Sequence, residues 1–147
     1  MWDVYMRAGA GVAIRSTFDR LKSSFEGVEY PVYLGKVTYI DYSKDVIPES
    51  NAFSPVMRKR KSFEYESELR ALIIETPLGV GGGPIDFEAS PWEVGAEVKV
   101  DLNALIDKVH VSPTAPPWFA GLVASVTARY GFEWKVTQSV LLEDPLF

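Results

Sequence analysis

Arg58-Lys-Arg-Lys-Ser-Phe-Glu-Tyr-Glu-Ser-Glu-Leu-Arg70, running into Ala71-Leu-Ile-Ile74, is the densest run of charge in the chain and ends in one of its most apolar stretches. If residues 64–75 are extended, side chains alternate between faces. Glu64, Glu66, Glu68 and Arg70 then line one side, and Tyr65, Leu69, Ala71 and Ile73 the other. Carboxylates two positions apart on such a strand lie roughly 6.5–7 Å apart along it. That spacing suits an acid/base pair, a ligand-binding row or a solvated sheet face. Ahead of the strand, Pro55 predicts a short helix carrying Val56 and the basic run 58–61.

To the N-terminal side, Tyr30 to Tyr42 is rich in β-branched and aromatic residues and reads as one long strand, with Pro31 at its start. Residues 1–8 read as the end of a helix broken at Gly9-Ala-Gly11, and Gly11-Val-Ala-Ile14 as a buried strand. Ser16 or Thr17 is a good N-cap for a helix with Phe18, Leu21 and Phe25 on its apolar stripe, closed by Gly27.

To the C-terminal side, residues 78–95 form the longest irregular stretch, around Gly81-Gly-Gly83-Pro84. Residues 96–100 alternate as a strand, and Asp101 caps a single helical turn. Val109-His-Val111 is a short strand. Pro116-Pro-Trp-Phe119 opens an amphipathic helix with Phe119, Leu122, Val123, Val126 and Tyr130 on one stripe, closed by Gly131. Residues 134–140 are a last strand, so 108–140 has the spacing of a βαβ crossover. The expected class is α/β or α+β: one domain over 1–147, with a mixed sheet of about five or six strands and helices packed against it.

Composition narrows the function. A chain of 147 residues with 47% hydrophobic and 13% aromatic content belongs with folded proteins. No uncharged apolar run reaches the length of about 20 residues that spans a bilayer, and Met1-Trp-Asp-Val-Tyr-Met-Arg7 does not read as a signal peptide, so no membrane partner is expected. The absence of cysteine removes disulfides, thiolate catalysis and Cys-type zinc sites, which fits the expected cytoplasmic location. A net charge of −5 argues against nucleic acid as a partner. His110 is the only histidine, and it reads as a partly buried structural residue, so no metal site is expected. The sequence has no G-x-S-x-G, H-E-x-x-H or G-x-x-x-x-G-K-[ST] motif.

Several segments together form a pattern: Met1-Trp-x-x-Tyr5, Gly11-Val-Ala-Ile-x-Ser-Thr17, Val37-x-Tyr-Ile-Asp-Tyr42, Lys59-Arg-Lys-Ser-Phe-Glu-Tyr-Glu-x-Glu-Leu-Arg70, Val109-x-Val-Ser-Pro113 and Ser139. The pattern resembles a widespread bacterial family classed as a domain of unknown function, and the resemblance covers nearly the whole chain. Members of that family usually carry a further segment before the Met-Trp position, including a strand with a Trp-His pair. The resemblance therefore implies that this chain lacks the family's N-terminal segment.

Three functions are compatible with these residues, with no cofactor identified. The first is a non-catalytic module that binds a small-molecule or phosphate-bearing ligand, or a partner, through Glu66, Glu68 and Arg70 joined to Lys59 or Lys61. The second is an NAD-using enzyme. Arg15-Ser16-Thr17 and Glu66-x-Glu68 loosely resemble the arginine, Ser-Thr strand and Glu-x-Glu arrangement of arginine-type ADP-ribosyltransferases, with Glu66 and Glu68 as the catalytic candidates. The third is a self-associating protein, a homodimer, drawing on the aromatic stock of Trp2, Tyr5, Trp92, Trp118 and Phe147. The candidate ligand-binding residues are Arg15, Ser16, Thr17, Lys61, Arg70 and Tyr5.

Overall fold

The computed structural model describes residues 2–6, 9–47, 51–74 and 97–141. In chain order the elements are α1 (Trp2–Tyr5), β1 (Val12–Arg15), α2 (Phe18–Ser23), β2 (Tyr33–Lys36), β3 (Thr38–Ile40), β4 (Arg58–Arg60), a 3₁₀ helix (Lys61–Glu66), β5 (Leu69–Leu72), α3 (Leu102–Leu105), β6 (Lys108–Val111), α4 (Pro117–Arg129) and β7 (Lys135–Gln138). The class is α+β. The seven described strands form three small sheets where the sequence suggested a single one of five or six. They fall in two units, one built from residues 1–26 and 99–147, the other from 27–98. No helix among the described residues is long and apolar enough to cross a membrane.

In the first unit the order is β1-β6-β7, with β1 antiparallel and β7 parallel to the central strand. Val109 and Val111 of β6 are buried, at 3% and 1% exposure. β6, α4 and β7 make the expected βαβ crossover, and α4 packs on β7. Pro117 begins α4, where its missing N–H has no intrahelical partner to lose. Gly131 follows the helix at φ +82, a conformation that side chains resist.

Two sequence expectations for this unit are corrected. β1 is not buried: among the described residues it pairs on one side only, and Val12 and Ile14 remain half exposed. On α4, Phe119 and Val123 do turn inward, but with Ala120 and Thr127, whereas Leu122, Val126 and Tyr130 are exposed. The helix is apolar nearly all round, so periodicity alone does not select the inward stripe. The caps hold as expected. Thr17 Oγ1 accepts from the Arg20 N–H, and Asp101 Oδ1 accepts from the N–H groups of Asn103 and Ala104. Residues 97–100 form no strand.

In the second unit, the stretch read as one strand over Tyr30–Tyr42 is two. β2 pairs antiparallel with β5, and β3 pairs parallel with β4. Between them the Val37 N–H donates to the Glu68 carbonyl at 2.9 Å while the Val37 side chain is buried. The partner strand changes direction at that point, so one extended segment serves two sheets. The basic run is strand, not helix. The helix-like turn comes earlier, where the Met57 N–H reaches the Phe53 carbonyl and Asn51 Oδ1 accepts from the Phe53 N–H. Residues 61–66, where the sequence predicts strand from residue 64, instead form the 3₁₀ helix. The chain leaves that helix through Ser67 at φ 45, a left-handed position held by a non-glycine residue. The irregular segment 78–95 lies outside the described residues.

Candidate functional site

The charged motif of the second unit folds back on itself. β4 directs Lys59 to the side opposite Arg58 and Arg60, the alternation any strand imposes. The 3₁₀ helix and the left-handed turn at Ser67 then bring both carboxylates to that one amine. Lys59 Nζ pairs with Glu66 Oε2 and lies 3.2 Å from Glu68 Oε2. It also stands over the Phe63 ring, 5.0 Å from the centroid. Arg70 on β5 holds Glu68 by a fork, Nε to Oε1 at 2.6 Å and Nη2 to Oε2 at 3.1 Å, and its Nη1 donates to the Val56 carbonyl. The Glu68 N–H donates to Tyr39 Oη at 2.8 Å. The predicted row along one strand is thus a clasp formed across β4, the 3₁₀ helix and β5.

These contacts fix the protonation states. The Arg70 guanidinium chiefly holds the Glu68 carboxyl down at about 2; desolvation opposes it, and the Lys59 amine adds a further lowering. Lys59 is raised, chiefly by its hydrogen bond to Glu66, and Arg70 is raised by Glu68. Two carboxylates and two cations cancel. Glu68 is therefore an anion throughout the neutral range, with both oxygens engaged. That suits holding a geometry and does not suit donating a proton.

Lys61 is not the amine of this cluster. It opens the 3₁₀ helix and lines a shallow hollow of about 380 Å³ with Asp41, Tyr42, Ser43 and Arg60. Alternation along β4 turns Lys59 away from Arg58 and Arg60, and the strand ends before Lys61, which the 3₁₀ helix carries out of that alternation.

Arg15, Ser16, Thr17 and Tyr5 belong to the first unit, and Lys61, Glu66, Glu68 and Arg70 to the second. Thr17 is occupied as the N-cap of α2, Ser16 Oγ donates to the Leu105 carbonyl, and Tyr5 ends α1. Arg15 Nε lies 3.3 Å from Asp107 Oδ2. The first unit also carries a cleft of about 670 Å³, largely apolar, whose lining includes Trp2, Ala13, Arg15, Ser16, His110 and Thr137. Trp2 closes one side, with its Nε1 donating to Ser139 Oγ at 3.0 Å. His110 Nδ1 and Thr137 Oγ1 are 3.0 Å apart across the β6–β7 pairing, which places the lone histidine in the cleft wall. Sequence reasoning passed over His110 and Thr137 as site residues. The one sequence signal is at His110, a polar side chain set between Val109 and Val111; Thr137 lies in a mostly polar strand and has none.

Among the described residues no group of three or more His, Asp or Glu side chains is arranged to hold a metal ion. No protein-family model, curated protein or solved structure matches the chain.

Proposed function

We propose that this protein is a non-catalytic binding module whose ligand is a small molecule held in the cleft of the first unit. The observation that carries this reading is the cleft itself. Its volume of about 670 Å³ falls within the range of about 300–1,000 Å³ typical of small-molecule sites. Its walls are mainly apolar, with a few polar groups at fixed positions, the combination that binds and orients a ligand. The Glu66–Lys59–Glu68–Arg70 clasp supports the non-catalytic part, since its charges are committed to one another. The cysteine-free composition supports a cytoplasmic setting, and the pattern over residues 59–70 supports membership of the bacterial family it resembles.

The test is titration with N-phenyl-1-naphthylamine, an uncharged apolar fluorophore, on wild type and on Ala13→Trp, which fills the cleft. Saturable binding at one equivalent, lost in the filled variant, is expected. Absence of saturable binding to the folded wild type would overturn the reading. So would nicotinamide release from NAD by wild type that Glu68→Gln abolishes, because the protein would then be an NAD-consuming enzyme.

A second reading, self-association into a homodimer, is favoured by one observation. Trp118, Leu122 and Val126 on α4 and Tyr130 at its C-cap repeat every four residues and are 65%, 48%, 47% and 76% exposed. Such an i, i+4 ridge, flanked by Gly121 and Ser125 one position before Leu122 and Val126, fits the groove of an identical helix crossing it. A concentration series of mass measurements on wild type and Leu122→Lys checks it. A monomer at all concentrations removes this reading.

A further inference from the structure

We infer that the ligand of the cleft is an amphipathic anion, an apolar body with a carboxylate or phosphate head, and that Arg15, Lys108 and Lys135 receive the head. This rests on the cleft being the binding site and adds the chemical class of what it takes.

The argument is one of register. Ala13, His110 and Thr137 are directly opposite one another across β1, β6 and β7, and all three line the cleft. Arg15 pairs with Lys108, and Lys108 with Lys135. Residues paired across a sheet, and residues two apart on one strand, share a face. The three cations therefore lie on the face that carries the cleft floor, one step of about 6.6 Å along the strands, with neighbouring strands about 4.8 Å apart. Arg15 itself belongs to the cleft lining.

Three like charges in one cross-strand row repel one another and are unfavourable without a counter-charge. The protein supplies little. Asp107 pairs with Arg15 at 3.3 Å but is shared with Arg20 at 3.9 Å. Among the described residues neither Lys108 nor Lys135 has an ion-pair partner. In a chain of net charge −5, a positive row on the cleft-bearing face, in which only Arg15 has an ion-pair partner among the described residues, is a local arrangement opposed to the overall charge. A bound anionic head, with its tail against Trp2 and Ala13, would neutralise the row and cover the apolar wall together. Neutral or cationic ligands would not.

The experiment compares two fluorophores with the same aromatic body, 8-anilinonaphthalene-1-sulfonate and uncharged N-phenyl-1-naphthylamine, on protein verified as folded by a cooperative thermal transition. Wild type is expected to bind the sulfonate more tightly, with an affinity that falls as salt rises. Lys108→Gln and Lys135→Gln are each expected to weaken the sulfonate by about threefold to tenfold and to leave the neutral probe unchanged. Competition by decanoate and by decyl phosphate then assigns the head group to carboxylate or phosphate. Equal affinity for both fluorophores, or sulfonate binding that is unchanged in the lysine variants, would overturn the anion assignment while the binding reading stands. Sulfonate binding that survives Ala13→Trp but is lost in Leu122→Lys would place it on α4 and overturn the assignment as well. If neither fluorophore binds, the binding reading fails first.

Discussion

Arg70 grips Glu68 with one edge of its guanidinium, Nε 2.6 Å from Oε1 and Nη2 3.1 Å from Oε2, while its remaining nitrogen reaches the Val56 carbonyl. A single side chain on β5 thereby ties the acidic turn to the residues entering β4. The flat fork is a property of arginine, and an ammonium group cannot reproduce it.

Arg70→Lys should therefore behave nearly as badly as Arg70→Met, each lowering stability by about 1 kcal/mol, since the pair is only partly shielded from water. Denaturant melts of the two variants decide this. A lysine variant with wild-type stability would show that charge alone is enough at this position.

The same clasp sets an acid limit. Glu68 has its folded value lowered from 4.5 to about 2, so between those values the unfolded chain binds the extra proton and the folded chain does not. Its contribution is complete above about pH 4.5 and is lost as the pH falls towards 2. Melting temperatures measured from pH 7 down to 2 should fall along this limb, and Glu68→Gln should flatten it. Lys59 acts in the opposite sense: its raised value keeps its contribution intact until alkaline pH passes its ordinary value of 10.5.

Ser67 tests the backbone. At φ 45 a β-branched side chain is crowded against its own main chain. Ser67→Val should cost about 1–2 kcal/mol, and Ser67→Gly should cost little or nothing. Because the turn aims both carboxylates at Lys59, the valine variant should also lose much of the acid sensitivity described above.

The caps and the core give two reference points in the first unit. Thr17→Ala and Asp101→Ala each remove an acceptor from a helix start and should cost about 1 kcal/mol. Val111→Ala, at a position 1% exposed, should cost about 2 kcal/mol from lost burial together with the void left behind. Urea titration of the three variants is sufficient. A Val111→Ala cost below that of the caps would mean the sheet centre is less tightly packed than its burial indicates.

What the sequence made legible follows from the range of the forces involved. Thr17, Asp101, Pro117 and Gly131 were readable as helix boundaries because capping and backbone conformation are decided within a few residues. The βαβ unit was readable because a crossover leaves its mark in spacing. The basic run was misread because Arg58–Arg60 is strand only by pairing with Thr38–Ile40, a contact that local propensity does not report. Taken as helix, the run leaves both Lys59 and Lys61 open as the amine of the clasp, and Lys61 enters the candidate ligand-binding residues. The cleft was illegible for a related reason. Ala13, His110 and Thr137 lie in three strands scattered along the chain, and only the register brings them together.

The division of the chain has a consequence for assembly order. The second unit is one uninterrupted segment, and its strands find partners within a short stretch of chain, Tyr33 opposite Leu72 and Thr38 opposite Arg58. The first unit is split around it, and Val12 must wait for Val111. Contacts distant in sequence form late because a long loop has to close first. During synthesis, then, the clasp could form while β1 is still an unpaired edge, and the cleft would be completed last, when β6 and β7 arrive.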